Sequence, residues 1–394
     1  MKSIVPLFAA LALACSPIGT AGASAKEPQT RSTQSKTAGK AKAKAKKAKP
    51  GKRVAVASKR VIKAAPAAAL IDYDGEHSNF LEWQAVREFI DETATRHGFE
   101  RSYLESIFGQ ARFIDSAVQL VKPAPPGKPK NWQAYRDRFI EPIRIAAGVR
   151  FWNENAEALA RAEAAYGVPA EVIVGIIGIE TIYGRDTGKF RVLDSLTTLA
   201  FAYPEAPNRA SRMAFFRSEL VNTLLFAREH KVEPFSLLGS FAGAVGMPQF
   251  MPGSILKFGV DFDQDGQIDL RSSNADAIGS VANFLIQHGW NPEHRGSPVF
   301  AAEVSPNQAW EPLLERGLNA TLRLEELRAA GVGTAQSPPV EHLYGLIDLQ
   351  NGAEATEYWL ANDNFFAITK YNRSYFYAMS VIELGRAVTA SRAN

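Results

Sequence analysis

The chain is predicted to be a mainly α protein of the α+β type, helical over most of its length with a small antiparallel β portion towards the C-terminus. Three observations predict this. From Asn79 onward apolar residues recur three or four positions apart, as Trp83, Val86, Phe89 and Ile90 do, which is the spacing of one face of a helix. Residues 172–179, VIVGIIGI, are apolar without interruption and read as a central helix buried on most sides. After His294 the texture changes to short β-rich runs separated by Pro, Gly and Asn, the pattern of a small sheet.

The elements follow in chain order. Lys2 precedes an apolar run over residues 4–14, too short to span a bilayer but of the length of a secretory signal. Ala23-Ser24-Ala25 offers a small-x-small cleavage pattern, giving a signal segment 1–25 and a new start at Lys26. Leu13-Ala14-Cys15 offers the alternative, a lipoprotein signal 1–14 with Cys15 lipidated as a membrane anchor. Both readings imply export, and the periplasm is the expected location. Residues 26–70 are Lys/Ala-rich with almost no large apolar side chains, so they cannot form a core. They read as a solvated, self-repelling spacer, or as a segment drawn to anionic lipid headgroups or wall polymers by about 1 kcal/mol per lysine.

Helices begin at residue 79, and a rigid loop PAPPGKP interrupts them at 123–129. An amphipathic stretch then runs over 151–166 and ends at Gly167 and Pro169. Within the apolar run, Gly175 and Gly178 should let neighbouring elements approach closely. Strands are expected at 299–304, 321–324, 343–349 and 365–369. Helix returns at the end, where Tyr377, Val381, Leu384 and Val388 recur at helical spacing.

Composition excludes several classes. The 394 residues are 46% apolar and 22% charged, enough for one large domain or a few smaller ones. The net charge of +4 conceals 14 basic residues against one acid between Lys26 and Lys63, which leaves the chain from Ala64 onward at −10. An acidic body does not suit a nucleic-acid partner, and none is expected. Cys15 is the single cysteine, so the remainder can form neither an intramolecular disulfide nor a thiolate metal site. Six histidines without a His-Glu-x-x-His spacing argue against a zinc hydrolase. No P-loop occurs, and Gly331-Val-Gly333 lacks the third glycine of a dinucleotide fingerprint.

Four constellations could carry chemistry. Glu180 closes the apolar run, with no cation before Arg185. Desolvation there should raise its pKa and suit it to donate a proton to a leaving oxygen; a carboxylate that only caps or pairs at a helix end is the equal alternative. Asp261, Asp263 and Asp265 alternate, with Gly266 sixth and Ile268 eighth, as in the first half of a calcium loop. The carbonyl of Gln267 can add an oxygen, but position twelve is Ser272, so the closing ligand must come from elsewhere, with Asp276 the candidate. Residues 239–254, GSFAGAVGMPQFMPGS, carry no charge and suit a cleft wall in which Ser240 and Gln249 orient a neutral polymer; a Met-filled core turn is the alternative. The glycines around Ser240 do not make a G-x-S-x-G elbow. Tyr371, Asn372 and Tyr377 cluster before the last helix, where ring faces suit sugars or simply fill a core.

Taken together and in this order, IIGIETIYG, LGSFAGAVGMPQFMPGS, DFDQDGQIDL with AIGSVANFLIQHGW, and YNRSYFYAMSV resemble the B-type lytic murein transglycosylases, from residue 79 to the C-terminus. The resemblance implies a lysozyme-like catalytic core over 151–294 with an EF-hand-like calcium loop at 261–276. It further implies a helical domain over 71–150 completed by 370–394, and a small β subdomain over 295–369. It implies cleavage of the β-1,4 bond between N-acetylmuramic acid and N-acetylglucosamine in peptidoglycan glycan strands without added water. Carried over by position, Glu180 matches the sole catalytic acid/base, and Ser240, Gln249, Tyr135, Tyr371, Asn372 and Tyr377 match cleft residues. Arg212 matches one of an arginine pair whose other position is Ser211 here. The calcium loop is one residue longer than the family's. A structural calcium ion, no organic cofactor and a monomer are expected. The competing readings are a hydrolytic muramidase and a non-catalytic, calcium-stabilised wall-binding protein.

Overall fold

The computed structural model describes residues 79–122 and 129–393. The expected signal segment, Cys15, the lysine-rich segment and residues 123–128 of the rigid loop lie outside the described residues. The helices α1 (Gln84–His97), α2 (Arg101–Gln110) and α3 (Asp115–Leu120) come first, followed by α4 (Trp132–Arg136), α5 (Pro142–Glu154), α6 (Ala156–Tyr166) and α7 (Ala170–Thr181). Next are β1 (Phe190–Arg191), α8 (Val192–Ala202), α9 (Arg209–Glu229), β2 (Leu238–Gly239), α10 (Pro252–Phe258) and α11 (Asn274–Gln287). The remainder comprises β3 (Val299–Val304), α12 (Leu324–Ala329), β4 (Val332–Gly333), β5 (Gly345–Asn351), β6 (Glu354–Ala361), α13 (Asp363–Tyr371) and α14 (Tyr375–Ala393).

The apolar run forms the central helix α7. Its side chains from Val172 to Ile179 are at most 3% exposed, and burying each aliphatic one contributes about 1.5–3 kcal/mol. α7 packs against α5, α6 and α11, and most extensively against α14. Two glycines make the last contact possible. A Cβ at Gly175 would lie 2.3 Å from the carbonyl oxygen of Val381, and one at Gly385 would lie 2.3 Å from that of Glu171. The backbones of α7 and α14 therefore touch, which fixes the separation of the two helices that carry Glu180 and Tyr377. Gly175→Ala is expected to destabilise the fold by about 2 kcal/mol, because overpacking outweighs the better helix propensity. A thermal melt unchanged from wild type would show that the helices are not this close.

The β portion is an antiparallel sheet of order β4-β3-β6-β5, with Val299 opposite Ala361 and Gly345 opposite the same residue on the other side. Trp310, Leu322, Leu327, Tyr344, Leu346 and Leu360 form a small core separate from the main one.

Three local expectations are corrected. Residues 365–369 are helical, within α13: Asn362 caps that helix by accepting the N–H groups of Asn364 and Phe365, and an apolar run buried on all sides carries no period to tell helix from strand. The strand actually follows Gly352, at β6. In 321–324 only Leu322 pairs, in an isolated bridge to Tyr344, and Leu324 already starts α12. The amphipathic stretch 151–166 is broken at Asn155, whose side chain donates to Phe151 O (2.7 Å) and accepts from Asn274 (3.0 Å).

Candidate active site

Glu180 stands in the last turn of α7, where the chain leaves the helix abruptly. Thr181, fully buried, donates through Oγ1 to Met247 O (2.9 Å) and accepts the N–H of Gly184 (3.1 Å). Ile182 and Tyr183 then take left-handed conformations, with φ of 52° and 57°, which a β-branched or bulky residue adopts only when its surroundings enforce it. This exit ends the helix beside Glu180 and leaves its carboxyl half-buried at the end of the core helix rather than inside it.

Oε1 of Glu180 accepts a hydrogen bond from the Tyr377 hydroxyl at 2.6 Å. Tyr377 is fully buried on α14 and stacks against Tyr371, with ring centroids 6.3 Å apart and planes 15° from parallel. The Tyr371 hydroxyl donates to Pro248 O, so the small-residue segment, the end of α13 and the start of α14 meet here. Tyr135, on α4, is a third phenol within the field of Glu180. Burial pushes the Glu180 carboxyl up to about 7, against the lowering effect of the Tyr377 hydrogen bond. Among the described residues no cation pairs with it. Burial and then the Glu180 charge raise Tyr135 to about 12, and burial carries Tyr371 and Tyr377 well above the usual phenol range. The phenols therefore stay neutral donors while the carboxyl is poised between its two forms near neutral pH.

The other expected residues are arranged less directly. Gln249 is in a left-handed conformation (φ 51°), with its amide donating to Gly246 O (2.9 Å) and Thr187 O (3.3 Å); it adjoins Pro248 and so borders the tyrosine cluster. Ser240 lies at the start of the same segment, and its hydroxyl accepts the N–H of Ala244 at 3.0 Å. Asn372 is the C-terminal cap residue of α13, half-buried beside Tyr371. Arg212, on α9, lies over the rings of Phe216, Phe215 and Tyr203 at 5.1–5.8 Å. Sequence reasoning missed Thr181, Trp132 and Phe376. The last two support Tyr135, at 6.4 and 5.5 Å between ring centroids, and only the aromatic content of NWQAYRDRF hinted at that cluster.

The acidic loop forms as a compact turn. Gly266, at φ 90°, turns the chain as expected, and Phe262 anchors the loop against Gly279 of α11 and under the Arg161 guanidinium (4.2 Å). Carboxylate oxygens of Asp261, Asp263 and Asp276 lie within 4.8 Å of one another. Asp276, only 1% exposed, accepts the N–H groups of Phe262, Asp263 and Asp269. The Asp265 carboxylate accepts the N–H of Gln267 at 2.8 Å and is outside the converging group. Three convergent carboxylates repel one another unless a cation joins them, and an all-oxygen set fits calcium.

A desolvated carboxyl at the end of a buried helix, faced by neutral phenols, is the equipment of an enzyme that breaks glycosidic bonds. Residues 82–386 match the transglycosylase SLT domain family. Over 316 residues, 78% of this chain and 83% of the relative, the sequence is 42% identical to membrane-bound lytic murein transglycosylase B of Escherichia coli. The Escherichia coli lytic transglycosylase SLT35 in complex with calcium is 40% identical with a TM-score of 0.70, over 80% of this chain and 96% of that one. SltB3 of Pseudomonas aeruginosa in complex with NAG-anhNAM-pentapeptide is 27% identical with a TM-score of 0.66, over 79% and 80% of the two chains. The chain belongs to the transglycosylase SLT family, as a B-type lytic murein transglycosylase, and shares its mainly helical, lysozyme-like fold.

Proposed function

We propose that this enzyme cleaves the β-1,4 bond between N-acetylmuramic acid and N-acetylglucosamine in peptidoglycan and leaves 1,6-anhydro ends, with Glu180 as the sole acid and base. The observation that carries the reading is the Glu180–Tyr377 pair: a carboxyl raised to about 7, with no second carboxylate among the described residues shifting it. Glu180 gives its proton to the glycosidic oxygen as the C1–O4 bond breaks. The acetamido group of the muramic residue stabilises the cation-like sugar. Glu180 then removes the proton of the C6 hydroxyl, whose oxygen bonds to C1. Glu180 ends protonated again and no water is consumed, so the two-carboxylate arrangement of most glycosidases is not needed. The anhydro-sugar ligand held by SltB3 supports this outcome. Ser240, Gln249, Tyr135, Tyr371, Asn372, Tyr377 and Arg212 are the proposed cleft residues, Arg212 towards the peptide stem.

Asp261, Asp263 and Asp276, with Asp265 and the carbonyl of Gln267 completing the loop, would hold a structural calcium ion, a reading the calcium complex of SLT35 supports. The domain division given above and export to the periplasm belong to the same proposal, with the signal cleaved after Ala25 or, as the alternative, Cys15 lipidated as an anchor, and the membrane-bound relative supports the location. The basic segment 26–70 would face anionic lipid or wall polymer, and the enzyme would act as a monomer. The test is to digest purified sacculi and weigh the released muropeptides. Anhydro-muramyl ends, lighter by one water than reducing ends, are expected. Reducing ends would make the enzyme a muramidase, and binding without release a wall-binding protein.

A further inference from the structure

Behind Glu180 lies a buried cation that the chemistry above does not use. Arg144, in the first turn of α5, is 9% exposed, and among the described residues no carboxylate forms an ion pair with it. Its Nη1 donates to the carbonyl oxygens of Gly178 (2.5 Å) and Ile179 (3.3 Å), the two residues before Glu180. Of the two, the Ile179 carbonyl is the orphan acceptor of the helix end, while Gly178 O also accepts a backbone N–H. The left-handed turn sends the N–H groups of Ile182 and Tyr183 back to Gly178 and Ile177, and Arg144 supplies a donor to Ile179. The guanidinium also lies 5.2 Å from the centre of the Phe139 ring.

Tyr183 completes the arrangement. Its phenol is wedged between α5 and α7 at two glycines: a Cβ at Gly148 or at Gly178 would lie 2.4 Å from its oxygen. Tyr183 Oη and Arg144 Nε are both buried and bond to no protein group. Stability alone does not explain such a set. A buried charge without an ion-paired carboxylate costs more than an apolar side chain of similar volume, and the charges of Glu141 and Asp186 nearby, with the negative end of α7 and its carbonyls, offset only part of that cost.

We infer that Arg144 is a positioning residue for Glu180: its guanidinium grips the carbonyls of Gly178 and Ile179 from α5, while Thr181 is tied to Met247 and Tyr183 is wedged against Gly148. These tethers from different elements hold the strained exit of α7 and so aim the carboxyl at Tyr377 and the scissile oxygen. The inference rests on Glu180 being the acid and base.

The test compares wild type, Arg144→Met and Arg144→Lys on soluble glycan strands, with Glu180→Gln as a control. Arg144→Met is expected to fold, with kcat lower by about 100-fold, the cost of a carboxyl displaced by about an ångström, and KM within about threefold of wild type. Arg144→Lys keeps a cation at the carbonyls but loses the planar fork, and should recover about tenfold of the lost kcat. A folded Arg144→Met with kcat within about threefold of wild type, or a loss confined to KM, would overturn the inference. Should Arg144→Met not fold, Arg144→Lys is judged by the same split. Failure of the underlying reading is separate: it would appear as an active Glu180→Gln, whatever the Arg144 variants do.

Discussion

Glu180→Gln is expected to reduce peptidoglycan turnover by about a thousand-fold, the scale of a lost general acid and base, while the protein still folds and still binds sacculi. The same substitution has a signature in stability. Folding raises the carboxyl from 4.5 to about 7, so between those values the folded protein holds a proton that the unfolded chain has released. Stability therefore falls as pH rises through that window, and above about 7 the full penalty, on the order of 3 kcal/mol, is present. Glutamine carries no such penalty. The melting temperature of Glu180→Gln should match wild type near pH 4.5, exceed it increasingly up to about pH 7, and stay above it by a constant margin at higher pH. Parallel melting curves across that range would contradict a desolvated carboxyl. Activity of the wild type should decline above about pH 7, because the reaction starts from protonated Glu180.

The second large effect concerns the acidic loop. With calcium at a hundred times its dissociation constant, the folded state gains about 2.7 kcal/mol, or about 3–5 °C in melting temperature for a protein of this size. A chelator should remove the gain, and Asp261→Asn should abolish the response to calcium. Melting curves indifferent to both calcium and chelator would show that the convergent carboxylates hold no ion. The loop tethers α6 and α11 through Phe262, and α6 and α11 both pack on α7. Loss of calcium should therefore lower activity near the melting temperature before it does so at 25 °C.

Much of the helical body was legible because its signals are local. Trp83, Val86, Phe89 and Ile90 mark α1 by period, and Val86, Phe89 and Ile90 are buried as that period requires. The run closing at Glu180 marks α7 by having no polar face at all. Gly175 and Gly178 marked close packing, which the backbone of α14 and the Tyr183 phenol supply. Legibility failed where burial erases period. Residues 365–369 are apolar and buried on every side, so their helix was decided by the Asn362 cap and by packing against α14 rather than by pattern. The break at Asn155 rests on a bond from Asn274, 119 positions away, which no local window contains.

The sequence by itself determined that a carboxyl would stand at the end of an apolar helix, that alternating aspartates would turn around Gly266, and that small residues and tyrosines would be available to line a cleft. Each of these is a property of neighbours in the chain. Only the tertiary structure decided what surrounds them. Tyr377 reaches Glu180 across 197 positions, Asp276 joins Asp261 and Asp263 from the next helix, and Arg144 grips the carbonyls of Gly178 and Ile179 from another. Desolvation, hydrogen bonding and charge act over a few ångströms of space rather than along the chain. The proton affinity of Glu180 is therefore set by how the helices pack, and not by the residues beside it in sequence.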